Sequence, residues 1–304
     1  MKKLRFLVSL MTSSNDYQQA QESAAAETSR RLGVEANVIY AENDTITQST
    51  QLLTAIQSAP ELRPDAILIN PVGGSGLPQV ARAATSAGIG WVVLNRKAHY
   101  ISELRRNSRA PIFGVSPDQI EIGRLQARQI AALLPNGGSV LYIQGPSDNK
   151  TAEERTAGMQ QNKPATIQVT MLRGQWTENS AEKTITSWLQ LATSRRARFD
   201  LVACHNDGMA MGARKAFAAQ SDAEREKWLR LPFIGIDGLP HTGQSWVRGG
   251  KLTATIVMPL TVPLALEMLV KAIRTGTTPA ELKLIDSMSF PTIDALASVG
   301  VGAN

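Results

Sequence analysis

The stretch Leu201-Val202-Ala203-Cys204-His205-Asn206-Asp207-Gly208-Met209-Ala210-Met211-Gly212-Ala213 decides the fold. Its first four residues are apolar, as in a strand buried on both faces, and they run straight into a helical pattern with an amide at the junction. The next such junction, Phe233-Ile234-Gly235-Ile236-Asp237-Gly238, carries a carboxylate instead. Both read as a parallel strand handing over to a helix, the place where open α/β sheets bind ligands. Asn206 and Asp237 are therefore candidate hydrogen-bonding groups for a ligand. Each has a competing role, because Asn and Asp are also favoured helix N-caps.

The same alternation extends through the chain in both directions. Towards the N-terminus, strands are expected at residues 4–11, 34–40, 66–69, 91–94 and 112–115, with helices at 17–32, 45–58 and 77–87. Gly33 stops the first helix. The third and fourth strands end at Asn70-Pro71 and Asn95-Arg96. From residue 119 the pattern restarts, with helices at 119–134, 152–162, 179–192, 209–219, near 241–248 and 262–274. Strands at 139–144, 167–172, 201–204, 232–236 and 254–257 lie between them. Regular β-α alternation predicts parallel sheets, right-handed crossovers and helices on both faces. The restart predicts an α/β protein of two similar doubly wound lobes with a ligand cleft between them. A length of 304 residues also exceeds one ordinary core.

Composition narrows the function classes. A hydrophobic content of 43% and modest charge describe a folded globular chain. No apolar run approaches the roughly 20 residues of a membrane-spanning helix. Residues 1–11 are basic and then apolar, imitating a signal peptide, but the apolar stretch is short, Arg5 interrupts it and no small-residue cleavage site follows. It reads as the first strand, and an exported protein would already have lost its signal. The single cysteine, Cys204, excludes an internal disulfide and fits core packing. His99, His205 and His241 lack metal-ligand spacing and suit core or surface roles. The net charge of +6 is spread over scattered clusters such as Arg30-Arg31, Arg105-Arg106 and Arg195-Arg196-Ala197-Arg198, with acids nearby. Without a nucleic-acid-binding motif these read as solvated faces. The loop Gly73-Gly74-Ser75-Gly76 has neither the P-loop lysine nor the Rossmann glycine spacing, and no cofactor is expected.

Six segments, in order, carry a family resemblance: Ala66-Ile67-Leu68-Ile69-Asn70-Pro71, Val93-Leu94-Asn95-Arg96, Ala152-Glu153-Glu154-Arg155, the stretch 206–213, Gly235-Ile236-Asp237-Gly238 and Gly250-Lys251-Leu252-Thr253-Ala254-Thr255-Ile256. From Leu4 to about Ser289 the chain resembles the periplasmic sugar-binding proteins of the ribose-binding type. These share a two-lobed fold with the ligand-binding domain of lactose-repressor-type regulators. The resemblance implies a clamp hinged by three chain crossings, near Ser116, Met258 and Ser287. The lobes would then be residues 1–116 plus 259–287, and 117–258 plus 288–304.

The resemblance also implies a site. Asn15 and Tyr17 match a polar group and an aromatic platform, Asn70 a ligand-binding asparagine, and Arg96 and Arg155 two arginines that donate to sugar hydroxyls. Trp176 matches an aromatic residue stacked on the sugar ring; Asn206 and Asp237 match an amide and a carboxylate acceptor. Sugar hydroxyls suit planar, bidentate partners, and sugar C–H faces suit aromatic rings. Three positions depart from the family pattern: Gln18 replaces a second aromatic, Asn95 an acidic residue, and Met258 a glutamine. Two arginines against the single carboxylate of Asp237 leave a formal surplus of positive charge, which Asp16 would remove if it points inward. A neutral sugar or polyol is the favoured ligand, and a carboxylate- or phosphate-bearing sugar derivative the alternative.

Each residue also has a plainer role. Asn70 before Pro71 suits a turn, Arg155 beside Glu153 and Glu154 suits a solvated helix, and Tyr17 and Trp176 suit lobe-interface packing. No catalytic triad, paired carboxylates or metal cluster stands out, so an enzyme is not expected. As a transport receptor, the protein would be a periplasmic monomer serving an ABC-type membrane permease, without nucleic-acid or membrane-inserted parts. The alternative is the ligand-sensing core of a regulator, cytoplasmic in the repressor case, or of a membrane receptor.

Overall fold

The structure is a computed structural model and describes residues 3–73 and 76–300, so Gly74 and Ser75 of the glycine-rich loop lie outside the described residues. The chain opens with β1 (Arg5–Leu10), α1 (Asp16–Leu32), β2 (Glu35–Tyr40), α2 (Thr45–Gln57), β3 (Ala66–Ile69), α3 (Pro78–Ser86), β4 (Gly90–Leu94), α4 (Ile101–Arg106) and β5 (Ile112–Pro117). There follow α5 (Gln119–Leu133), β6 (Gly138–Gln144), α6 (Lys150–Asn162), β7 (Ile167–Arg173), α7 (Glu178–Leu189), β8 (Leu201–Cys204), α8 (Asp207–Ala218), α9 (Asp222–Leu229), β9 (Phe233–Ile234), α10 (Gly243–Arg248) and β10 (Thr255–Val257). The last elements are α11 (Thr261–Thr275), β11 (Leu282–Ile285), β12 (Met288–Phe290) and α12 (Ile293–Gly300).

Two compact units result: Met1–Pro117 with Pro259–Ile285, and Asp118–Met258 with Asp286–Asn304. Pro117 therefore belongs to the first unit, and Asp286 and Ser287 to the second. β11 pairs with β5 up to the partners Ile285 and Pro117, and the first sheet ends there.

The first unit is built on a six-stranded sheet, ordered β11-β5-β4-β3-β1-β2 and parallel throughout. Side chains alternate along each strand, so odd and even positions feed different cores. Phe6, Val8, Leu10, Leu68, Val92, Leu94 and Phe113 pack with α1 and α11, chiefly through Ala25, Val262, Leu266 and Leu269. Leu7, Ile67, Ile69, Trp91 and Val93 pack on the other face with Leu52, Ile56, Val80, Ala84, Ile101 and Leu104 from α2, α3 and α4. Each such side chain, when fully buried, contributes about 1.5–3 kcal/mol of transfer free energy.

In the second unit β7-β6-β8-β9 form a parallel sheet. Parallel bridges from Ile234 to Ala254 and from Asp237 to Val257 extend its line to β10. Leu141, Ile143, Val202 and Cys204 face α7 and α8, with Trp188, Phe217 and Trp228 in the same core. Val140, Tyr142, Leu201 and Ala203 face α5 and α6, where Ile130, Met159 and Leu296 close the core. Cys204 thus takes the expected core position.

Both units have the expected α/β architecture, with helices on both sheet faces, but β12 departs from the expected parallel pattern. It pairs antiparallel with β10, Ile256 opposite Ser289. It follows β11, a strand of the first unit's sheet, after only residues 286 and 287. Helices α4, α9 and α12 and strands β11 and β12 are additional to the expected elements. α9 buries only Trp228, so its sequence has almost no apolar periodicity to read.

Candidate functional site

In the first unit the expected residues gather at the C-terminal ends of the strands. Asn15 caps α1, its Oδ1 accepting the Gln18 N–H at 3.1 Å. Asp16 is exposed in the first turn. Tyr17 is only 2% exposed, and its hydroxyl donates to the Pro259 carbonyl at 2.9 Å. The same hydroxyl lies 3.4 Å from Asn95 Oδ1, which also accepts from Thr261 Oγ1 at 3.1 Å. Thr261 accepts in turn from Gln21 Nε2 at 3.0 Å, while Gln21 Oε1 takes the Val262 N–H. These buried bonds tie the start of α1, the end of β4 and the start of α11 together. Tyr17 is thereby held by its polar end inside the unit.

Gln18 has a structural use of its own. Its Oε1 accepts from the Met11 N–H and from Asn70 Nδ2, both at 3.2 Å. The Asn70 carbonyl takes Gln48 Nε2 at 3.0 Å, so Asn70 is fixed from two sides. Arg96, 3% exposed, donates from Nη1 to the Gly73 carbonyl at 2.6 Å and from Nη2 to the Pro71 carbonyl at 2.9 Å. The guanidinium thus braces the loop that leaves β3, using the fork geometry that a lysine lacks.

In the second unit Arg155 is buried within α6, away from the solvated position that its acidic neighbours suggest. Its Nε donates to Gln119 Oε1 at 2.9 Å, Nη1 to the His205 carbonyl at 2.5 Å and Nη2 to Met258 Sδ at 3.1 Å. The guanidinium stands 5.6 Å from the Trp176 ring centroid, within cation–π range. Close helix contact makes this possible. A Cβ built on Gly123 would lie 2.1 Å from the Arg155 carbonyl oxygen, and one on Gly158 would lie 2.1 Å from that of Ile120. The glycine pair lets α6 settle on α5, bringing Arg155 to Gln119.

Asn206 does what its competing role predicts and more. Oδ1 accepts the Met209 N–H at 2.8 Å, capping α8, while Nδ2 donates to the Trp176 carbonyl at 2.9 Å. Asp237 caps nothing, because the next helix starts at Gly243. Its backbone is pinned instead: the N–H donates to the Ile256 carbonyl at 3.0 Å and the Met258 N–H to the Asp237 carbonyl at 3.1 Å. Asn95, Trp176 and Asp237 have φ of 62°, 64° and 113°. Left-handed backbone at non-glycine residues costs free energy and concentrates at functional sites.

Sequence reasoning passed over Asp207, although it stands beside Asn206 in the deciding stretch. Its buried carboxylate accepts the Gly238 N–H at 2.8 Å and the Thr255 hydroxyl at 2.7 and 3.0 Å. It thereby holds the turn that presents Asp237. An acidic residue in the first turn of a helix reads as an ordinary dipole partner, which hid this use. Gln119, Gln18 and Thr255 carried no motif signal. His205 is wholly buried, and His99 and His241 are exposed. Burial, with the nearby charge of Arg155, holds the His205 imidazole well below its ordinary 6.5, so it is neutral. Among the described residues no group of three or more His, Cys, Asp or Glu side chains is placed to hold a metal. None of their helices is long and apolar enough to cross a membrane.

Buried amides, guanidinium groups and a carboxylate, set by rigid backbone at the strand ends of two α/β units, define a solute-binding type of protein. The chain belongs to the periplasmic binding protein domain family, whose profile matches residues 6–276. It is similar to the D-allose-binding periplasmic protein of Escherichia coli, 25% identical over 294 residues, 93% of this chain and 90% of that one. A Rhizobium meliloti relative named for rhizopine binding is 30% identical over 193 residues, 62% of this chain; the match spans 58% of that relative's length, under two thirds. Among solved structures, the fold is shared with an ABC transporter periplasmic solute-binding protein from Actinobacillus succinogenes with bound D-allose. The TM-score is 0.80 at 21% identity, covering 97% of this chain and 100% of that one. It is shared equally with a solute-binding protein from Bacillus halodurans with bound myo-inositol, at TM-score 0.79 and 21% identity over 98% of each chain.

Proposed function

We propose that this protein captures a neutral sugar or polyol, catalyses nothing, and serves an ABC-type permease from the periplasm as a monomer. The observation that carries this reading is the donor-rich polar set around Arg155. Its guanidinium is fixed by Gln119, His205 and Met258 beside the face of Trp176. A fork of N–H donors next to an aromatic face suits a ring bearing hydroxyl groups on one side and C–H groups on the other. Asn206 and Asp237 add an amide and a carboxylate from neighbouring strand ends, and Asn15, Asn70, Asn95 and Arg96 form the corresponding set in the first unit. Each set by itself offers the planar donors and acceptors that sugar hydroxyls need.

Titration calorimetry with D-allose, D-ribose, myo-inositol and xylitol, beside D-galacturonate and ribose 5-phosphate, tests the ligand class. Saturable binding of a neutral compound, lost in both Arg96→Ala and Arg155→Ala, is the expected result. Binding of the acidic compounds alone would replace the neutral-ligand reading with the acidic one. Turnover of a bound sugar, or a tight dimer in sedimentation, would count against the transport role.

A further inference from the structure

His205 is a wholly buried titratable ring beside the candidate site that the proposed function leaves unused. Gly145 donates its backbone N–H to His205 Nδ1 at 3.0 Å. A backbone N–H can only donate, so Nδ1 carries no proton and the neutral ring must carry it on Nε2. Nε2 stands 2.8 Å from the Tyr142 hydroxyl, which passes its own hydrogen to Gln126 Oε1 at 2.9 Å. Gln126 Nε2 then donates to the Cys204 carbonyl at 2.9 Å. The direction of every bond in this buried chain is thereby set.

The chain ends beneath the site. The imidazole is stacked with the Trp176 indole, centroids 6.0 Å apart and planes 19° from parallel. The indole also lies against Gly145: a Cβ built there would stand 2.4 Å from Trp176 Cζ2. The same histidine's carbonyl holds Arg155 Nη1. We propose that His205 is a positioning residue whose neutral Nε2–H form fixes the Gly145 turn, the Trp176 indole and the Arg155 guanidinium as one unit. This rests on the proposed ligand site, because it concerns how that site is held. A second ring proton would set Nδ1–H against the Gly145 N–H and place positive charge beside Arg155. The ionisable groups around the ring are Tyr142 from β6, Arg155 from α6 and, within two residues of it in sequence, Cys204 from β8 and Asp207 from α8.

The test needs no ligand to begin. In protein labelled with ¹⁵N-histidine, the His205 ring, assigned by its loss in His205→Phe, should show the Nε2–H tautomer from pH 7 down to pH 5. An Nδ1–H tautomer, or titration near the ordinary 6.5, would overturn the proposal. In protein labelled with 5-fluorotryptophan, His205→Phe should move the Trp176 resonance, assigned through Trp176→Phe, and leave Trp91 in place. His205→Asn, which can still accept the Gly145 N–H, should bring it partly back. An unmoved Trp176 resonance would also overturn it. If D-allose or myo-inositol binds the wild-type protein, His205→Phe should weaken it roughly tenfold or more. If no neutral compound of the panel binds, the ligand reading fails while both spectra still decide the role of His205.

Discussion

Gly123 approaches Arg155 so closely that no side chain fits between α5 and the Arg155 carbonyl. That contact is backbone against backbone, so relief requires the helices to part. Gly123→Ala is therefore expected to destabilise the protein by about 1–3 kcal/mol. It should also weaken ligand binding, because separating the helices pulls Arg155 from Gln119. Urea unfolding checks the first effect and calorimetry the second; an unchanged midpoint would show that the helices yield freely.

Asp237 offers a cleaner separation of binding from folding. Its φ of 113° suits glycine better than aspartate. Asp237→Gly should raise stability by about 1 kcal/mol by releasing that strain, and abolish measurable binding. Asp237→Ala should lose binding without the gain in stability. Thermal unfolding of the two variants side by side distinguishes them.

The buried carboxylate of Asp207 should matter more to folding than any ligand-facing group. Asp207→Ala leaves the Gly238 N–H and the Thr255 hydroxyl without their acceptor, at a cost of about 1–3 kcal/mol for each unsatisfied group. A loss below 1 kcal/mol in urea unfolding would indicate that water replaces the carboxylate.

Acid should weaken the fold through His205. Its folded value lies below 6.5, so the unfolded chain binds the proton first as pH falls. The contribution is complete above pH 6.5 and is lost as pH drops from there towards the folded value, at up to about 1.4 kcal/mol per pH unit. Carboxylates add their own dependence at lower pH, so the quantity to measure is the difference between wild type and His205→Asn. The variant should show a flatter stability profile between pH 6.5 and 5.

These expectations draw on groups of unequal visibility in the sequence. Strands such as β3 and β8 are continuous apolar runs ending in asparagine or in the His205-Asn206 pair, so the architecture and the strand-end residues were legible. β11 and β12 were not, because strands of four and three residues with exposed positions have no period to detect. Asn206 was recognised as a helix cap, but its bond to the Trp176 carbonyl, thirty residues away, was not. Arg155 was named as a binding residue, but its burial depends on Gly123 and Gly158, thirty-five residues apart and joined only in space. Gln18 stood out only as an absent aromatic ring; its bonds to Met11 and Asn70 come from three separate segments. Long-range amide contacts of this kind leave no local trace.

Asn206 starts α8 with one side of its amide and holds Trp176 with the other, and Asn15 likewise starts α1. Exchange of either for a residue that cannot cap, such as alanine, disturbs a helix start at a cost of about 1 kcal/mol, whatever it does for a ligand. Selection for a new solute would therefore run through positions free of that double duty. Met258 and Gln119 cap no helix by their side chains, so an exchange at either acts on the Arg155 guanidinium they hold and not on a helix start.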